Sequence, residues 1–337
     1  MTYVAVLTSF ILSSTSQAQD VITLAPRTDH PGRITLTGKV LDYTGALLTY
    51  ENTLGAKQSV PGKQVLEIRS TWSAEQEAGN EAWRRRDYEA AAKKFQAAYT
   101  AETRRWVRRM IVARLIAAER EQNRWEAAAE QFLVLLREDP ATPYFAAAPL
   151  AWTSIDVTPT LQTKGQRWLD DRTSAAAALL GASYLLSTPA RADAVRRLRE
   201  LTLDGDPRIA LSAEAQLWRA DAVTADASKI AGWERTIEKI PEPLRAGPYL
   251  TVGRTWSLRK EPERAALALL RVPILYGDAE PRLAAEALWT AGQALERLTQ
   301  PEQAARLYRE LLRDFPQAVV AGPAQERLKE LAAQTKP

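Results

Sequence analysis

The stretch AEALWTAGQALERLTQPEQAARLYRELLRDFP, residues 285–316, decides the fold. Leu288, Ala291, Gly292 and Leu295 fall on one face of a first helix, and Ala304, Tyr308 and Leu311 on one face of a second, with Pro316 closing the unit. Residues three and four apart share a helix face, so each segment has an apolar stripe to bury. Gly292 and Ala304 stand twelve residues apart. Both are small where two antiparallel backbones have to approach, and Tyr308 is large enough to fill the groove beside them.

The same twelve-residue step recurs from Gly79 to Ala91, from Ile116 to Ala128, from Ala182 to Ala194 and from Gly253 to Ala265. Four residues further on stand Phe95, Phe132, Leu198 and Leu269, and one turn beyond these stand Ala98, Leu135, Leu201 and Val272. Pro140 closes a second unit as Pro316 closes the last, and Pro207 lies one residue late in another. A unit that cannot bury its apolar face alone has to stack on its neighbours, so five copies in one register predict a repeat array.

On these residues the chain from about Ser73 to Leu331 resembles the tetratricopeptide-repeat family, with the first, second, fifth and sixth units strong. The resemblance implies an α-solenoid of about six helical hairpins over residues 73–335, with a concave surface that holds an extended peptide or a partner helix. Residues 211–243 form a divergent unit, with Leu217 and Trp218 on one helix and Ile230, Trp233, Ile237 and Ile240 on the next. Between about 140 and 173 the register breaks. Pro140, Pro143, Pro149 and Pro159 forbid one uninterrupted hairpin there, leaving a degenerate repeat or an insertion that bends the array or exposes a loop.

Before Ser73 the composition turns from alanine, leucine, glutamate and arginine to threonine, valine and glycine. Ile34, Leu36 and Val40 alternate with polar residues, as do Leu66 and Ile68, and turns are expected at 42–45, 52–55 and 61–62. Four or five short strands over residues 19–72 suit a small SH3-like or Sm-like barrel. Residues 1–18, with an apolar run from Tyr3 to Leu12 and small side chains at Ser16 and Ala18, have the look of a secretory signal peptide. They predict export to a periplasmic or other extracytoplasmic place. No later stretch is apolar for the roughly 20 residues that a membrane span requires.

The sequence nominates no catalytic, cofactor-binding or metal-ligating residue. Cysteine is absent, which excludes disulfides, thiolate zinc sites, a thiol nucleophile and lipid attachment through cysteine. His30 has no second imidazole to work with. Gly181-Ala182-Ser183-Tyr184 lacks the second glycine of a nucleophile elbow, and Asp204-Gly205-Asp206-Pro207 lacks the ligands of a calcium loop, so it reads as an inter-helix turn. The ten tryptophans fall at helical spacings that suit core packing.

The net charge of the chain is +4, yet residues 84–114 hold ten basic residues against three acidic ones, a local net of +7. Arg84, Arg85, Arg86, Arg104, Arg105, Arg108 and Arg109 are the candidate partner-binding residues. Arg104 with Arg108 and Arg105 with Arg109 are like-charged i, i+4 pairs, which an anion would relieve. The expected function is a non-catalytic envelope adaptor that binds a protein or peptide partner, an acidic one at this face, and no nucleic acid. The alternative is a surface- or glycan-binding protein that reads its ligand with the β module and uses the repeats as a spacer or oligomerisation platform.

Overall fold

The computed structural model describes residues 19–26 and 32–334, which divide into two units between Ser73 and Ala74. The signal-like residues 1–18 and His30 lie outside the described residues.

The first unit is a five-stranded antiparallel sheet of β1 (Asp20–Leu24), β2 (Ile34–Tyr43), β3 (Leu47–Asn52), β4 (Lys57–Pro61) and β5 (Val65–Arg69) in the order β4-β3-β2-β1-β5. β2 serves two neighbours: its first half pairs with β1 and its second half with β3, and Gly38 is paired on both sides. A Cβ at Gly38 would lie 2.3 Å from the Glu51 carbonyl oxygen, so only glycine fits this crossing. A bulge follows between Val40 and Asp42. There the buried Asp20 carboxylate accepts the Val40 N–H at 2.7 Å. Ile22, Leu24, Val40, Leu48, Tyr50 and Val60 form the core of the sheet. Leu66 departs from the expected alternation. Glu67 pairs with Thr23 while Val65 pairs with Leu24, so Leu66 is the extra residue of a bulge and stands 53% exposed.

The second unit holds fourteen helices among the described residues. Five hairpins follow the twelve-residue step: α1 (Ala74–Arg84) with α2 (Tyr88–Ala101), α3 (Arg105–Glu121) with α4 (Trp125–Glu138), α6 (Ala175–Leu185) with α7 (Arg191–Leu201), α10 (Ala246–Leu258) with α11 (Pro262–Tyr276), and α12 (Pro281–Arg297) with α13 (Pro301–Asp314). Ala91, Ala128, Ala194, Ala265 and Ala304, and with them Phe95, Phe132, Leu198, Leu269 and Tyr308, are none of them more than 1% exposed. In three of these hairpins the large residue of the second helix presses on a glycine of the first. A Cβ on Gly79, Gly253 or Gly292 would come within 2.7, 2.4 or 2.2 Å of Phe95, Leu269 or Tyr308.

The turns repeat as faithfully as the helices. Arg86, Asn123, Lys260 and Thr299, each seven residues after the interface position, have φ of 63°, 62°, 61° and 56°. In the first turn the Asp87 N–H bonds the Ala82 carbonyl and the Arg86 N–H bonds the Trp83 carbonyl, a Schellman C-cap. The same pair of bonds recurs at the other three turns. In the α6–α7 hairpin the equivalent residue is Pro189, whose ring fixes φ near −65°, and no left-handed residue occurs there.

In the divergent unit, α8 (Pro207–Asp221) and α9 (Ala227–Ile237) meet through stacked Trp218 and Trp233 rings, 5.4 Å apart and 10° from parallel, instead of a small-on-large contact. The break in register is an insertion, and it is not an exposed loop. Residues 140–158 run irregularly, with residues 142–153 largely buried, before α5 (Pro159–Asp170), which packs on α6 with Gly181 against the Gly165 carbonyl. Thr142, Phe145, Leu150 and Ala151 are buried. α14 (Ala321–Gln334) follows the last hairpin.

The inserted segment covers a face that the sequence led us to expect open. Ser183 of α6 accepts the Ala151 N–H at 2.9 Å, Gln216 of α8 donates to the Ala151 carbonyl at 3.3 Å, and the Tyr184 hydroxyl donates to the Pro149 carbonyl at 2.8 Å. On α10, Gly247 leaves room for the Trp152 ring, which a Cβ would meet at 2.1 Å. Where α6, α8 and α10 lie side by side, the extended peptide they hold is therefore the chain's own. The array also turns back on itself. Trp83 donates to the Asp278 carbonyl at 3.1 Å, Arg86 lies 5.0 Å over the Phe315 ring, and Arg120 reaches Glu280 at 2.9 Å.

Candidate interaction surface

The seven arginines singled out by the sequence do not form one face. Arg84 and Arg85, at the end of α1, both pair with Glu81, at 2.6 and 2.8 Å. Arg86, in the left-handed turn position, is directed at Asp278 and Phe315. These three line a cleft with Ile274, Leu275 and Arg313, in which Asp278, Glu310 and Asp314 interleave with the cations. Charge is close to balanced there.

The other four sit around the start of α3, and their environments differ. Arg104 stands at the N-cap position of α3 and is tied to Glu102, whose carboxylate accepts its Nε at 3.0 Å and its Nη2 at 2.8 Å. Those bonds and the backbone N–H groups of Thr103 and Arg104 hold the Glu102 carboxyl below its ordinary pKa, against the effect of burial. Glu102 therefore neutralises Arg104, which leaves little of the like-charge strain expected between Arg104 and Arg108.

Arg105, Arg108 and Arg109 converge on one cleft between α3 and the second half of α4, floored by Tyr99, Val112, Val134 and Leu135. Glu138 is the acidic residue among its lining. Arg109 is buried in its wall, and Arg105 is exposed at its rim. Arg108 lies 4.2 Å over the Tyr99 ring. A guanidinium stacked by its face keeps its in-plane N–H groups for a carboxylate or another planar anion. Neither Arg105 nor Arg108 has an ion-pair partner among the described residues.

A second depression adjoins the first on the other side of α4. This groove of about 870 Å³ runs between α4 and the α5–α6 pair and is lined by Leu133, Val134, Leu136, Trp168 and Ala177, with Glu130, Arg137, Arg167 and Asp171 at its edges. Val134, 44% exposed, lines both the groove and the basic cleft. Trp168 is one of the ten tryptophans whose spacing suited core packing. Of the groove's apolar lining Ala177 is buried, Leu133, Leu136 and Trp168 are half-buried and Val134 is exposed.

A third feature was not legible at all. At the α3–α4 turn the Arg120 side chain, 7% exposed, is held by both oxygens of Glu280, at 3.1 and 2.9 Å, and lies 3.5 Å from Glu121. The Glu121 side chain is 4% exposed, and burial pushes its carboxyl up to about 7. Arg282 donates to Asn123 and lies 5.4 Å over the Trp125 ring. Among the described residues there is no group of three metal-ligating side chains, and no helix is long and apolar enough to cross a membrane.

No family model matches the chain, and no curated protein matches it. Among solved structures it is similar to a tetratricopeptide repeat protein from Parabacteroides merdae, at 13% identity and a TM-score of 0.38, over 77% of this chain and 97% of that one. The repeat character of the helical unit rests on its own packing: five hairpins in one register, a large side chain against a glycine in three of them and a turn shared by four.

Proposed function

We propose that this protein is a non-catalytic scaffold that binds another protein through its helical unit, and that the contact centres on the cleft of Arg105, Arg108 and Arg109. The observation that carries the reading is that two of these cations, Arg105 and Arg108, have no ion-pair partner among the described residues and stand next to exposed apolar side chains. Such a cleft favours the carboxylates of an acidic partner, by charge and by the planar geometry of guanidinium. The Arg84–Arg86 cluster, interleaved with its own acids, belongs to the internal packing of the array under this reading.

The face of α6, α8 and α10 is occupied by the chain itself, so the reading puts the partner on the α3–α4 hairpin and not on that face. We read the β unit as a small SH3-like module and residues 1–18 as an export signal that places the scaffold outside the cytoplasm. Cell fractionation of the full-length protein tests the location: recovery in the cytoplasmic fraction would remove the envelope role.

The test of the contact is photo-crosslinking in the native cell from a benzophenone amino acid placed at Tyr99. The expected product is a protein crosslinked through an acidic segment, lost in the Arg105→Glu/Arg108→Glu variant and reduced at high salt. Crosslinks unchanged by charge reversal would remove the cleft from the function.

A further inference from the structure

The basic cleft and the apolar groove are two sides of one ridge. Both are lined by α4, and Val134 belongs to each. We infer that they form one composite docking surface for a single peptide segment that crosses α4 at Val134, placing an acidic residue against Arg105 and Arg108 and a large apolar residue against Leu133, Leu136 and Trp168. The inference rests on the protein-scaffold reading and adds to it the chemistry and spacing of the partner.

Charge complementarity chooses the occupant. On the cleft side Arg105 and Arg108 have no ion-pair partner among the described residues, and the stacked Arg108 presents its donor edge. On the groove side the floor is apolar, and at its edges Glu130 pairs with Lys164 at 2.6 Å, Arg137 donates to the Leu133 carbonyl and Asp171 accepts from Thr173. A partner that is acidic throughout would leave the groove wet, and one that is apolar throughout would leave the arginines unanswered. A segment carrying both meets both requirements.

The width of the ridge sets the spacing. A helix with its side chains is about 10 Å across. An extended chain advances about 3.3 Å per residue. The acidic and apolar residues of the segment therefore stand about three positions apart. Each main contact acts by removing apolar area from water or by pairing a guanidinium with a carboxylate, and the loss of either weakens binding by about tenfold or more.

Selection of a random 12-residue peptide library on the full chain tests this, with the enriched peptides resynthesised and measured by fluorescence anisotropy. The expected result is enrichment of Asp or Glu two to four positions from Trp, Phe or Leu. Replacing the peptide's acid by its amide, or its apolar residue by serine, is expected to weaken binding at least about tenfold. On the protein side, Arg105→Glu/Arg108→Glu and Val134→Asn are each expected to weaken it, with unchanged helical circular dichroism.

Acidic peptides that ignore Val134→Asn and the serine replacement would overturn the composite surface and leave the acidic-partner reading standing. Apolar peptides indifferent to Arg105→Glu/Arg108→Glu would overturn both, as would the absence of any enriched sequence. Anionic phospholipid vesicles retained by the wild type and released by Arg105→Glu/Arg108→Glu, without peptide binding, would overturn both in favour of a membrane surface.

Discussion

Thr299 occupies a backbone conformation that β-branched residues rarely adopt, with φ of 56° at the end of α12. The left-handed region costs an L-residue about 1–2 kcal/mol relative to glycine, and the Thr299 hydroxyl returns only an exposed bond to the Leu298 carbonyl. Thr299→Gly is therefore expected to raise stability by about 1 kcal/mol, read as a higher urea midpoint at unchanged m value. The opposite is expected seven residues earlier, at Gly292. A new Cβ would lie 2.2 Å from a Tyr308 ring that is fully buried and tied by its hydroxyl to Glu296 at 2.6 Å, so the ring has nowhere to move. Gly292→Ala should cost about 1–3 kcal/mol through overpacking, measured in the same way.

At the scale of the element, five hairpins were legible because their decisive contact is local. The first interface residue, small in four of the five and Ile116 in the other, a small residue twelve positions on and a large one after four more all lie within two helices, so the interface is written in one short stretch, as in 285–316. The insertion was legible only as a break. Its prolines showed where a hairpin had to stop, but the side chains that hold it come from α6, α8 and α10, at Ser183, Gln216 and Gly247, and polar residues in a charged helix look like surface. The basic cleft was half legible. The spacing of Arg105, Arg108 and Arg109 keeps them together on one helix, whereas Arg86 is separated from them by its left-handed turn. A buried covering segment has a testable consequence. Trp152→Ala should remove its anchor on α10 and cost about 3 kcal/mol. Hydrogen exchange should rise across residues 141–157 first; a uniform increase across all helices would mean that the segment is no separate element.

At the scale of the whole molecule, the contacts that bring the first two hairpins against the last two converge on ionisable groups, and these make the stability of the helical unit depend on pH. Facing Glu121 are Arg120 on its own helix, Glu280 and Arg282 at the start of α12, Glu286 one turn on, and Tyr88 at the start of α2. Glu121 keeps its proton in the folded protein up to about pH 7, whereas a free glutamate releases it near 4.5. Between those values the folded state binds more protons than the unfolded one, so this contribution is complete at low pH and is lost as pH rises to about 7. The loss amounts to at most about 3 kcal/mol. Glu121→Gln, which stays neutral, should be more stable than the wild type at pH 8 and nearly equal to it at pH 4.5, by urea unfolding at each pH. Equal gains at both values would show that the carboxyl does not titrate in this window. Arg120→Met removes the cation instead and leaves Glu280 buried without its bidentate partner, for an expected loss of about 3–5 kcal/mol at pH 8. Acidification should recover part of that loss by protonating Glu280. Recovery in the single variant and none in Arg120→Met/Glu280→Gln would establish that the contact between the second and last hairpins is held by this pair, and not by the apolar packing around it.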